Sequence, residues 1–347
     1  MRKTNATKSA GMAAVIVLAV SLMISGCGQS ASPSNANGGS GALNAQPADQ
    51  TPNDSNLAGA AGDGNGTRKI VHAMGETEVP DKPQRVVVLT NEGTEALLAL
   101  GVKPVGAVKS WTGDPWYKHI ADRMEGVTVV GDESQPNIEL IASLQPDLII
   151  GNKLRQEKVY DQLNAIAPTV FSETLRGEWQ TNFLLYAETL GLKEEGEKLI
   201  ADFDRRAAEF KDKAGDKLNE KVSVVRFMAG KIRIYLEDSF TGVAFSKLGL
   251  TRPDHQLHYT ETFAEEITKE RLPEADADRI FYFTYETGDG KGSEMEKEVL
   301  NDPLWQSLKA VRDGKAIRVD DAIWNTAGGI IAANLMLDEI YDIYGME

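Results

Sequence analysis

From Arg85 onward the chain sets short unbroken apolar runs against longer stretches in which apolar residues return every three or four positions. The first kind suits a strand buried on both faces, the second a helix with one face on a core. Arg85-Val-Val-Val-Leu-Thr90 predicts a strand, and Glu92 to Leu100 a helix ended by Gly101. Pro104 to Val108 and Val127 to Val130 predict two more strands, Ile138 to Leu144 a short helix closed before Pro146, and Asp147 to Ile150 a fourth strand. Glu157 to Ile166 continues as helix and Thr169-Val-Phe171 as a fifth strand. Strands alternating with helices imply a parallel sheet covered on both faces. Ahead of it, Lys69 to Val79 predicts a hairpin turning at Gly75.

Trp179 to Lys217 breaks this rhythm with a long helical pattern whose only weak points are Gly191 and Gly196. Leu184, Leu185, Leu190, Leu199, Ile200, Phe203 and Phe210 supply an apolar stripe, and charged residues the other face. The alternation then resumes, with apolar runs at Val222 to Met228, Ile232 to Leu236 and Ile280 to Tyr285 and a last helix from Gly329 to Tyr344. This order implies an α/β fold of two Rossmann-like lobes, residues 68–178 and 218–347, joined by a single long helix over 179–217, whole or broken near Gly191, with a ligand cleft between the lobes.

The amino-terminal region differs in kind. Arg2, Lys3 and Lys8 precede an apolar run from Gly11 to Ile24, whose 14 residues are too few for a membrane-spanning helix. Residues 1–26 therefore predict an export signal, and Ser25-Gly-Cys27 after it resembles the site at which bacterial lipoproteins are cleaved and lipidated, leaving Cys27 as the acylated first residue. Residues 28 to 67 are almost wholly small or polar, with Leu43 and Leu57 the only large apolar side chains. Such a stretch cannot bury enough surface to offset its ordering entropy, so 27–67 predicts a lipidated cysteine on a flexible tether.

The formal charge is −15, and removal of Arg2, Lys3 and Lys8 with the signal brings it to −18. A body this acidic argues against nucleic acid or anionic lipid as partner. It leaves room for a local basic pocket.

In an α/β protein ligands lie in the crevice at the carboxyl ends of the strands. That rule selects Thr90 to Glu92, Lys109 to Trp111, Gly151 to Arg155, Ser172 to Arg176, Arg226 to Lys231 and Tyr285 to Thr287. Arg155 and Arg176 follow adjacent strands and are placed to converge. Ile232-Arg-Ile-Tyr-Leu236 alternates, so Arg233 and Tyr235 share one strand face opposite three aliphatics. A half-buried face of Arg and Tyr calls for a polar group to meet it, although an exposed edge strand would read the same way. Arg226 suits either a ligand or an internal ion pair. Trp111, beside a Gly113-Asp-Pro115 turn, and Trp324, in a segment expected to be extended, suit either a pocket wall or the core.

Pro83-Gln-Arg-Val-Val-Val-Leu89 leading into Glu95-Ala-Leu-Leu-Ala-Leu-Gly101, then Pro136-Asn-Ile-Glu-Leu-Ile141 with Leu144-Gln-Pro-Asp-Leu-Ile-Ile150, and the long helix in its place, resemble the class III, helical-backbone substrate-binding proteins of ABC importers for ferric siderophores, haem and cobalamin. Gly151 to Leu163, Thr174-Leu-Arg-Gly-Glu-Trp179 and Trp324-Asn-Thr-Ala-Gly-Gly329 resemble the branch handling hydroxamate and citrate-based siderophores. Members taking polycarboxylate ligands carry arginines in the loop after the tryptophan matching Trp324. Here Asn325-Thr-Ala327 is uncharged, which favours a hydroxamate or citrate-hydroxamate ligand, schizokinen-like. The resemblance also implies that Arg252 is a contributor to the site, that Glu139 and Glu270 dock one lobe each onto the permease dimer, and that the long helix permits only a small closure. A carboxylate early in a helix is favoured by the dipole in any case. The implied protein is a monomer on the outer face of a cell membrane, of Gram-positive type, that delivers a ferric siderophore to a permease and holds no cofactor or metal of its own. Ferric citrate, haem or cobalamin are the alternative ligands.

A surface-anchored hydrolase is the competing class. No Gly-x-Ser-x-Gly, His-Glu-x-x-His or P-loop string is present. The histidines number four, and His255-Gln-Leu-His258 alone has metal-ligand spacing, in a loop-like setting. The Gly288-Asp-Gly-Lys-Gly292 loop lacks the strand-to-helix context of a phosphate site.

Overall fold

The computed structural model describes residues 66–257 and 262–346. The signal, Cys27, nearly all of the tether and His258 lie outside those residues. Thr67–His72 and Gly75–Pro80 pair as the expected antiparallel hairpin. Behind it, a five-stranded sheet runs in the order Thr128–Val129, Gly106–Ala107, Val86–Val88, Leu148–Asn152, Thr169–Ser172, all parallel. Val86, Val87, Val88, Leu148, Ile149 and Ile150 are fully buried, as continuous apolar runs in a doubly covered sheet must be.

The second sheet orders its strands as Ala264–Ile267, Lys231–Tyr235, Val222–Met228, Arg279–Thr284, Ala316–Arg318. Here the first pair is an antiparallel hairpin turning at Ala229-Gly230, and Ala264–Ile267 is antiparallel to it as well, so this sheet is mixed. A turn of two residues cannot carry a parallel crossover, which explains the departure from the parallel expectation.

Residues 179–217 form two helices in place of one. Trp179–Leu190 ends at Gly191, whose φ of 76° closes a left-handed cap, and Lys193–Ala214 then runs back along it. Trp179 meets Phe203 edge-on at 5.2 Å between ring centroids, and Gln180 donates to Asp204 at 3.1 Å. Gly196 permits the close approach, since a Cβ there would lie 2.4 Å from Ala187 Cβ. The long connecting helix is thus the 22 residues Lys193–Ala214, about 33 Å at 1.5 Å per residue.

The last helix, Ile330–Ile343, belongs to the second lobe by sequence but packs on Asn91–Ala99 of the first. Glu95, fully buried in the latter, accepts the Ala332 N–H at 2.9 Å and pairs with His119. One apolar core runs through both lobes, with Leu97 and Leu148 in the same cluster as Val224, Phe281 and Ile340.

Candidate functional site

In both sheets the strand order reads third, second, first, fourth, fifth, so each has its switch point beyond the carboxyl ends of the first and fourth strands. In the first lobe those ends carry Glu92 and Arg155; in the second, Arg226 and Tyr285. All four line one cleft of about 310 Å³, together with Trp111, Glu133, Arg176, Arg233, Tyr235 and Phe263. The uncharged Asn325-Thr-Ala-Gly328 stretch closes one side.

Four guanidiniums meet here, and their partners differ. Arg226, nearly buried, makes a two-pronged bond to Asp321 at 2.6 and 2.9 Å and donates to Tyr235 Oη at 3.0 Å. Burial works against its charge, but Asp321 and Tyr235 outweigh it and hold the guanidinium more firmly protonated than usual. Arg155 lies 3.3 Å from Glu133 and 5.5 Å over the Trp111 ring. Its helical turn, Lys153–Gln156, is fixed by buried Gln156, which donates to Leu89 O and Glu133 O and accepts from Asn152 N.

Arg233 is the direct cross-strand neighbour of Arg226 on one side and of Glu266 on the other. Its bond to half-exposed Glu266 is long, 3.6 Å. Like charges directly opposite on adjacent strands repel, so this row stores positive potential at the cleft wall. Arg176 has no ion-pair partner among the described residues. It stacks on Phe263 at 3.8 Å, at a left-handed φ of 77°, a conformation costing roughly 1–3 kcal/mol outside glycine. Burial, with Arg155 and Arg233 adding repulsion, pulls its pKa down.

Two carboxylates also line the cleft. Glu133 is shielded by Asn91, whose N and Nδ2 donate at 2.8 and 2.7 Å; burial still raises its pKa against Asn91 and Arg155. Among the described residues, Glu92 has a single side-chain hydrogen bond, from Asn182 Nδ2 at 2.8 Å. Burial pushes it well above the ordinary carboxylate range, and Glu133 and Glu95 push the same way. Its place in a helix's first turn favours the anion by about 0.3–1 kcal/mol, small beside the several kcal/mol of burying an unpaired carboxylate.

Two expected site residues lie elsewhere. Trp324 is fully buried, 4.7 Å from the Phe281 ring, and donates from Nε1 to Glu339 at 2.5 Å. The expected extended segment is a wide helical turn, Ala322–Thr326, which points the indole into the core and leaves the following residues on the cleft. Arg252 is buried, with Nη2 3.4 Å from Leu236 O and its charge over the Phe245 ring. Burial lowers it to about 10, against Glu237, and it does not line the cleft. Glu139 and Glu270 are exposed, one on each lobe, each opening a short helix, and Thr268 with local backbone holds Glu270 below the usual range. The glycine-rich loop at 288–292 is filled from within: Glu286 takes N–H bonds from Ser293, Gly290 and Gly288, which lower it to about 2.

Residues 86–323 match the family model described as Periplasmic binding protein. The chain belongs to the periplasmic binding protein family. Among family relatives, the "Probable siderophore-binding lipoprotein YfiY" of Bacillus subtilis is 54% identical over 281 residues, covering 79% of this chain and 86% of that one. The achromobactin-binding periplasmic protein of Dickeya dadantii is 30% identical over 268 residues, 76% of this chain and 87% of that one. In structure, Staphylococcus aureus SirA complexed with staphyloferrin B superposes with a TM-score of 0.76 at 35% identity, over 81% of this chain and 99% of that one. Such proteins are two-lobed, and the two sheets and long helix here fit that plan.

The strand-end rule had reached Glu92, Arg155, Arg176, Arg226 and Tyr285. It did not reach Glu133, in the turn of the short antiparallel pair Gly131–Asp132 and Gln135–Pro136, or Phe263, which leads into Ala264–Ile267 at the start of a strand and not its end. Asp321, the counter-ion of Arg226, follows Val319-Asp320, just beyond the last strand; a strand-end search extended past Arg318 would have met it.

Proposed function

We propose that this chain is the extracellular solute-binding component of an ABC importer, which captures a ferric siderophore in the cleft and delivers it to the permease for iron uptake. One observation carries the reading: guanidiniums from both lobes converge on a cleft in which Arg155 and Arg226 have buried carboxylate partners while Arg176 has none and Arg233 only a distant one. Such a site binds an anion rich in oxygen acceptors, since the guanidinium fork suits both the charge and the lone pairs. A ferric chelate with carboxylate or hydroxamate oxygens has that chemistry. The names of the relatives point the same way. Among the described residues, the cleft lining holds no serine, cysteine or histidine.

The schizokinen-like, citrate-hydroxamate class fits best, because the Asn325-to-Gly328 wall is uncharged and the spare positive charge is limited to Arg176 and Arg233. Ferric citrate is the second reading, favoured by a 29% identical relative named Fe(3+)-citrate-binding protein YfmC. The chain acts as a monomer tethered through lipidated Cys27 on the outer face of a Gram-positive membrane, and Glu139 and Glu270 meet the permease. Closure on the ligand is small, because the lobes share one core.

Trp111 beside Arg155 gives the readout. Fluorescence titration with ferric schizokinen, ferrioxamine, ferric citrate and a ferric catecholate is expected to show quenching at or below micromolar concentration for the first. Quenching by haem or cobalamin alone overturns the ligand class. Glu139→Ala and Glu270→Ala are expected to leave quenching intact and stop uptake in cells. Labelling with radioactive palmitate, lost in Cys27→Ser, tests the anchor.

A further inference from the structure

Among the described residues, Glu92 is the one carboxylate on the cleft whose partners are all neutral or of like charge. Its Oε1 accepts from Asn182 Nδ2, and no hydrogen bond reaches Oε2 among the described residues. Around it stand Glu95 on its own helix, Glu133 from the neighbouring loop, and Asn182 and Tyr186 from the Trp179–Leu190 helix. Arg155 is committed to Glu133, His119 to Glu95, Arg226 to Asp321 and the Tyr186 hydroxyl to Ser172, and among the described residues no ion pair joins Glu92 to Arg176 or Arg233, the two cleft cations left over. An ionised Glu92 would add a third negative charge beside Glu133 and Glu95, with one neutral donor to hold it. A protonated Glu92 keeps the Asn182 bond on its carbonyl oxygen and has an O–H to give.

Resting on the reading of the cleft as a chelate site, we propose that Glu92 is a specificity-determining residue whose carboxylic acid O–H donates a hydrogen bond to an acceptor oxygen of the bound chelate. The guanidiniums on the other walls also only donate. Apart from Glu133, whose oxygens are taken by Asn91 and Arg155, the charged side chains of the cleft offer donors, and a ligand that turns an ammonium or amide N–H toward Glu92 loses a bond there. Binding also requires the proton, and affinity falls as pH rises through the titration of Glu92.

Two measurements on the full chain test this. In the first, side-chain carboxyl carbons of 13C-labelled glutamate are followed by NMR across pH 4–8, with Glu92→Gln assigning the signal. Glu92 is expected to remain in the acid form after the surface carboxylates have titrated; titration together with them overturns the proposal. In the second, calorimetry with ferric schizokinen and ferric citrate compares the unaltered chain with Glu92→Gln and Glu92→Ala at pH 6, 7 and 8. Glutamine keeps the Asn182 bond on its oxygen and donates from nitrogen, so its affinity is expected within about threefold of the unaltered chain at pH 6 and to exceed it as pH rises. Alanine is expected to lose about tenfold, the scale of one hydrogen bond to a buried partner. A tenfold loss in Glu92→Gln at pH 6 would mean that an ionised Glu92 accepts from the ligand, and equal affinity in Glu92→Ala that it does not touch it; either sinks this inference alone. If neither chelate binds the unaltered chain, the reading of the cleft falls and takes the inference with it.

Discussion

Asp321→Asn is the most informative single change, because Asp321 holds a buried guanidinium on the wall of the cleft. The pair is two-pronged, at 2.6 and 2.9 Å, and its side chains are 7% and 6% exposed. Removing the negative partner leaves Arg226 charged among Tyr235, Phe283 and Tyr285, with Arg233 opposite it. Breaking a buried pair in this way costs about 3–5 kcal/mol, most of it the stranded charge. At roughly 2–4 °C per kcal/mol for a body of this size, the thermal midpoint falls on the order of 10 °C. The assay is urea unfolding followed by circular dichroism, in which the midpoint should move with the slope unchanged. Arg226→Met with Asp321→Asn removes both charges and is expected to recover most of the loss, a coupling of at least about 2 kcal/mol. An anionic chelate should also raise the midpoint of Asp321→Asn more than that of the unaltered chain, since it supplies the missing counter-charge. A loss below about 1 kcal/mol in Asp321→Asn, or coupling near zero, would place the pair with solvent-screened surface bridges and refute the reasoning.

The two cleft-region tryptophans should separate folding from binding: Trp324→Ala is expected to cost about 3–5 kcal/mol in urea unfolding, while Trp111→Ala leaves stability nearly unchanged and weakens chelate quenching. Arg176→Gly should fold at least as stably as the unaltered chain, because glycine accepts the φ of 77°, yet lose tenfold or more in calorimetric affinity for ferric schizokinen. The raised pKa of Glu92 makes its burial tolerable only while it is protonated: its contribution is fully present below the ordinary carboxylate range and lost as pH rises toward its folded value, at up to about 1.4 kcal/mol per pH unit. Glu92→Gln should flatten that fall in unfolding free energy measured between pH 4 and 8; an unchanged slope would show that Glu92 is ionised in the folded chain.

The fold was largely legible because unbroken apolar runs such as Val86 to Leu89 and Leu148 to Ile150 have few alternatives to a doubly covered sheet. The cleft arginines were legible for a related reason, since a strand's end is readable wherever its run of aliphatics stops. Arg233 and Tyr235 were found by period-two alternation, and they do line the cleft. Periodicity was silent on the reversal at Gly191, because both arms of a helical hairpin carry the same period and only the left-handed cap marks the turn. It was equally silent on Trp324, whose direction depends on one extra residue in a turn. Glu133 reaches the cleft from the turn of a pair of two-residue strands, and Phe263 from the amino-terminal edge of Ala264–Ile267; strands so short, and strand starts, leave no run of aliphatics to read. Arg252 misled because its burial with Nη1 unpartnered depends on the packing of Phe245 and Leu236, which spacing does not reveal.

The last helix crosses to the first lobe, and Glu95 receives its Ala332 N–H where a Cβ on Gly329 would lie 2.6 Å from the carboxylate oxygen. The lobes are therefore not interchangeable cassettes. A chimera that takes one lobe from a homologue must bring the matching acid, glycine and helix register along with it, or expose the seam of a shared core. Cleft side chains remote from that seam, such as Arg176 and Arg233, can be exchanged without disturbing the joint that holds the halves together.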